Sequence, residues 1–152
     1  MKARTYALAM LLAAGIGVAY AQDQGTQAER VAQYNLGKYG TASYEKFQFW
    51  TNNGRRGWVI YQYGATPTEV KLKYVGKSRC GGTHCFKLSF PNGYVLNVLP
   101  SGDGLRVIDD AGRYDKAFEW EYEGPVDGIG TFCAPCAEDA KDARTLLDKF
   151  YL

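Results

Sequence analysis

Between Ser43 and Tyr122 the chain keeps repeating one pattern, a short run of alternating apolar and polar residues followed by a turn. Phe118-Glu119-Trp120-Glu121-Tyr122 alternates without a break, and Val70, Leu72 and Tyr74 interleave with Lys71 and Lys73. A period of two puts the apolar side chains on one face of an extended strand. Turn signals separate the runs: Asn52-Asn53-Gly54, Gly64-Ala65-Thr66-Pro67, Cys80-Gly81-Gly82, Pro91-Asn92-Gly93, Pro100-Ser101-Gly102-Asp103-Gly104 and Asp109-Asp110-Ala111-Gly112. The pattern predicts an antiparallel meander of about seven strands, the first over 44–50 and the last over 118–122. One apolar face on so many strands has to be covered. A mainly β fold follows, closed into a small barrel or rolled into a strongly curved sheet.

Helices are expected at both flanks. Thr26-Gln27-Ala28-Glu29 has the spacing of a capping box and Gly37 suits a stop, predicting a short N-terminal helix near 27–36. Ala140, Ala143, Leu147 and Phe150 fall on one stripe of a C-terminal helix near 136–150, with Pro135 suited to its start and Lys149 to its end. Nothing in the composition divides the rest, so residues 22–152 read as a single domain.

Residues 1–21 read as a secretory signal peptide. Lys2 and Arg4 precede an apolar run from Tyr6 to Val18, and Ala19-Tyr20-Ala21 is a small-x-small cleavage site. The expected address is the periplasm or the exterior, where cysteines oxidise.

Cys80, Cys85, Cys133 and Cys136 are an even set, and export makes two disulfides the expected state. Four cysteines allow three connectivities. Cys80 and Cys85 flank a hairpin tip, which favours local 80–85 and 133–136 bridges over crossed pairing of the two clusters. Zinc on Cys-x4-Cys and Cys-x2-Cys is the weaker reading in an oxidising compartment. Cys133-Ala134-Pro135-Cys136 resembles the Cys-x-Pro-Cys active site of thioredoxin-like oxidoreductases, which implies a redox role at a helix N-terminus. That fold needs strands and helices after the motif, and only 16 residues follow Cys136.

The formal charge of +2 conceals an asymmetry. Without Lys2 and Arg4 the chain is balanced at 16 basic and 16 acidic residues. Residues 22–100 hold 10 basic and 4 acidic, and residues 101–152 hold 6 and 12. A neutral domain is a poor nucleic-acid binder. In a meander alternate turns share an end, so the tips near 52–56 and 81–84 should bring Arg55, Arg56, Lys77, Arg79 and His84 together as a basic rim. Asp109, Asp110 and Asp115 belong to the opposite end, and Lys71, Lys73 and Lys87 extend the basic side along outer faces. Such a rim suits an acidic protein or an anionic envelope component.

Catalytic machinery is not apparent. His84 is the only histidine, no nucleophile motif surrounds a serine, and Glu119 and Glu121 share the outer face of one strand. No cofactor or metal is implied. Tyrosines are abundant, 12 in all. They either fill the core and rim or line a ligand cavity, as in small up-and-down barrels. The outline is similar to calycin-type barrels and periplasmic lysozyme inhibitors, although no motif of either is present. The expected function is non-enzymatic binding in the periplasm, of inhibitor or immunity type or of a small ligand. An envelope or redox accessory role for Cys133 and Cys136 is the alternative.

Overall fold

The alternating runs do form strands, and the strands close. In the computed structural model, which describes residues 29–121, 133 and 135–152, eight antiparallel strands follow one another around a closed barrel. They are β1 (Arg30–Leu36), β2 (Glu45–Asn52), β3 (Arg55–Tyr63), β4 (Thr68–Cys80), β5 (Thr83–Ser89), β6 (Val95–Ser101), β7 (Gly104–Ile108) and β8 (Asp115–Trp120). One helix, α1 (Ala140–Phe150), follows. The signal-peptide segment and Tyr122 lie outside the described residues.

The eighth strand is the one the sequence reading took for a helix. Residues 30–36 are β1 rather than part of a helix over 27–36; most of the capping-box pattern lies outside the described residues. Tertiary pairing overrides the local signal, because without β1 the barrel would leave two open edges. β1 pairs along its whole length with β2, from Arg30 opposite Thr51 to Leu36 opposite Glu45. Its other edge meets β8 only at Tyr34–Trp120 and Asn35–Glu119. Among the described residues, Glu121 N–H donates to the Gln33 carbonyl (2.9 Å), Val31 N–H donates to the Pro135 carbonyl (2.7 Å) and Ala137 N–H donates to the Val31 carbonyl (2.8 Å).

That pairing also corrects the C-terminal helix. Pro135 is in the ladder beside β1, and the helix starts at Ala140 behind Asp139, whose side chain accepts from Asp142 N–H at 2.6 Å. Its buried stripe is Ala143, Leu146 and Leu147, continued by Tyr151 just past the helix end. These join Phe47, Phe49, Phe86, Leu88, Val98, Leu105 and Phe118 in the core. Tyr151 packs edge-on against Phe49 (5.5 Å) and its hydroxyl donates to the Trp50 carbonyl (2.7 Å). The helix and its C-terminal turn therefore close one end of the barrel, called here the helix end. No described helix is long and apolar enough to cross a membrane.

Both local disulfides are present, Cys80–Cys85 and Cys133–Cys136, with Cα separations of 6.0 and 5.3 Å. The first is diagonal rather than directly opposed. Gly81 and Gly82 make a two-residue turn with φ of +58° and +83°, so Cys80 faces Thr83 and bridges to the residue two further on. The second lies against β1, where Gln33 Nε2 donates to Cys136 Sγ at 2.9 Å. The oxidised pairs fit an oxidising compartment.

Candidate functional site

The β2–β3 turn with Arg55 and Arg56 and the β4–β5 turn flanked by Arg79 and His84 both lie at the helix end of their strands, in an arrangement that alternation alone does not give. The β3–β4 register stops at Val59–Leu72, whereas β4–β5 pairing continues to Cys80–Thr83 and β6 joins β5 only from Phe86. The tip of the β4–β5 hairpin is thus two strands wide. A bulge falls between Tyr74 and Gly76, and Gly76 takes φ +155°. Val75 is the extra residue, and it changes which face the following side chains share. Lys77 stands opposite Phe86 and Arg79 opposite His84, which puts all three basic groups on the face of Phe86 and Leu88. Lys71 and Lys73 remain on the outer face. Basic groups therefore occupy both sides of the hairpin.

Arg56 behaves differently from its rim neighbours. Its guanidinium lies 3.5 Å from the Tyr74 ring centroid, and Nη1 donates to the Phe150 carbonyl at 3.0 Å. A cation there satisfies a carbonyl at the helix C-terminus, where the helix dipole favours positive charge. Its role is structural. Arg55, Lys73, Lys77 and Arg79 are exposed and make no ion pair among the described residues. Two exposed apolar groups lie beside them, Trp58 at 53% and Val75 at 54% of full exposure, with the Lys71 ammonium 3.2 Å from the Trp58 centroid. Lys87 belongs elsewhere, paired with Asp110 at 3.5 Å.

The other end, called here the tyrosine end, carries a cavity of about 500 Å³ lined by Tyr61, Tyr63, Val70, Phe90, Pro91, Asn92, Tyr94, Leu96 and Tyr114. This volume lies in the range of small-molecule sites. Phe47, Phe49, Phe86 and Phe118 pack the core with Tyr34 and Tyr151, and four other tyrosines surround this space. Tyr61 and Tyr63 stack at 5.5 Å, and Phe90 meets Tyr61 edge-on at 5.5 Å.

Behind the lining is a buried carboxylate. Glu45 shares the inward face of β2 with Phe47 and Phe49, and it accepts from the hydroxyls of Tyr61 (2.7 Å) and Tyr114 and from the ammonium of Lys116. Burial, reinforced by hydrogen bonding to Glu45, pushes both tyrosines above their ordinary pKa and keeps them protonated. Asp109, also buried, accepts from the Tyr94 hydroxyl (2.7 Å) and from the backbone N–H groups of Arg113 and Tyr114. The Tyr94 bond is the foremost cause that holds its carboxyl below the usual range.

No protein-family model matches the chain, and neither the curated proteins nor the solved structures include one that matches it. The two ends must be read from their own chemistry.

Asp110 and Asp115 share the tyrosine end with Asp109. Asp115 makes a two-pronged pair with Arg106, whose fork bonds hold its carboxyl below the usual range. Glu121 is paired with Lys46 at 2.7 Å, and Glu119 is exposed on the outer face. The helix N-terminus proposed for Cys133 is absent from the motif, since α1 begins beyond Cys136. No group of three or more metal-ligating side chains occurs among the described residues. Glu45, Tyr61, Tyr94, Tyr114 and Lys116 were not singled out from sequence. The one legible signal was an acid at the inward position of an aromatic strand.

Proposed function

We propose that this is an exported, non-enzymatic binding protein of the periplasm that docks an acidic protein partner through the basic β4–β5 hairpin. One observation carries the reading: Lys73, Lys77 and Arg79 lie exposed on one strand and make no ion pair among the described residues, with exposed Val75 between them and the Lys71 ammonium over exposed Trp58. An exposed aromatic group under a lysine, next to a strand of exposed cations, suits a docking surface for a partner of opposite charge. An inhibitor or immunity-type role needs only such a surface on a rigid scaffold. The barrel, the helix and the 80–85 bridge at the hairpin tip supply the rigidity.

The test is capture from a periplasmic extract followed by titration of the purified partner. Binding should weaken with salt, because exposed charges are screened. Lys77→Glu/Arg79→Glu should lower affinity at least tenfold while the melting temperature holds. Unchanged, salt-insensitive binding by this folded double variant overturns the proposal.

A further inference from the structure

The tyrosine end has its own chemistry, independent of the basic hairpin. Its lining contains no lysine or arginine. Four of the nine lining residues are tyrosines, and three of these direct their hydroxyl protons to carboxylates: Tyr61 and Tyr114 to Glu45, and Tyr94 to Asp109. A phenol that donates to an anion gains electron density on its oxygen and ring, which deepens the negative potential of the ring face. It also turns its proton away from the cavity. Asn92 and Tyr63 are then the side chains left to donate to a ligand. An anion would find few donors here, whereas a cation would find aromatic faces and oxygen lone pairs.

An ammonium already occupies the edge of this wall. Lys116 Nζ bonds to Glu45 and lies 4.8 Å from the Tyr114 centroid. It neutralises Glu45 but leaves Asp109 as a buried charge. The nearest cation to Asp109 is Arg113, at 3.8 Å on a side chain that is 79% exposed and so screened by water.

We infer that the tyrosine-lined cavity is a binding site for a small ammonium ligand, held by ring faces in the manner of an aromatic cage. The volume accommodates a quaternary head group with a short chain, and the buried Asp109 carboxylate behind Tyr94 supplies the matching potential.

The experiment compares choline with its uncharged isostere 3,3-dimethylbutan-1-ol, which has the same shape and lacks only the charge. Binding is read from the methyl resonances of Val70 and Leu96 in the full exported chain. Choline should shift both methyls saturably and bind at least tenfold tighter than the isostere. Tyr63→Leu, which removes a ring without touching a carboxylate bond, should reduce that preference severalfold. Equal binding of the two compounds overturns the charge selectivity, and no shift with either overturns the site. Neither failure bears on partner capture by Lys77 and Arg79, which lie at the opposite end.

Discussion

The guanidinium of Arg56 lies over Tyr74, 3.5 Å from the ring centroid, and ties the barrel wall to the end of the C-terminal helix. Tyr74 in turn donates its hydroxyl to the Tyr151 carbonyl at 3.0 Å. Replacing Arg56 removes a cation–π contact and a charged donor to a helix-end carbonyl together. Arg56→Ala is expected to cost about 1–3 kcal/mol in urea unfolding. Arg55→Ala, next to it and without such contacts, should stay within about 0.5 kcal/mol. Equal effects would show that Arg56 is an ordinary rim charge.

Leu147 is wholly buried beneath the helix that closes the barrel. Leu147→Ala should cost about 2–5 kcal/mol through lost burial and the cavity left behind. Near-ultraviolet circular dichroism follows whether the aromatic packing survives. A loss below about 1 kcal/mol would mean that the helix is not part of the cooperative core.

Tyr34, Tyr61, Tyr114 and Tyr151 all have pKa values raised chiefly by burial. A raised folded pKa means that their contribution to stability is complete below the unfolded value of about 10 and is lost as pH climbs above it. Tyrosinate absorbance should therefore show an early exposed set, and then a late step that coincides with unfolding by circular dichroism. A single smooth titration of all tyrosines in a folded protein would contradict the burial.

Asp109 has the opposite sign. Its carboxyl is held below the usual range, first by Tyr94 and then by backbone N–H donors. Its contribution is present above the unfolded value of about 3.9 and disappears as pH falls through the folded one. Asp109→Asn should destabilise the protein near neutral pH and flatten the acid limb of the stability curve. An unchanged acid limb would place the acid sensitivity elsewhere.

How far the sequence could be read depended on the range of the interaction involved. Strands β2 to β8 follow from alternation and turn residues, because both are local. The local disulfides follow for the same reason. β1 was misread because a capping pattern is equally local, whereas the need to close a barrel edge is not. Lys71, Lys73, Lys77 and Arg79 look like one row in sequence. The bulge at Val75 and Gly76 divides them between two faces. Glu45 could be seen as an acid in phase with Phe47 and Phe49. Its partners Tyr61, Tyr114 and Lys116 come from strands up to 71 residues away, and no pattern along the chain announces them.

The flank of β1 bears on the order of events during synthesis. Among the described residues, this strand finds its second edge in β8, Glu121 and residues 135–137, which follow it by about a hundred positions along the chain. A ribosome that delivers the chain from its N-terminus presents β1 long before that edge exists. Closure depends on contacts of long sequence separation, which form slowly and cannot precede the arrival of their later partner. The ring thus stays open until the last quarter of the chain has emerged, and only then can it be completed.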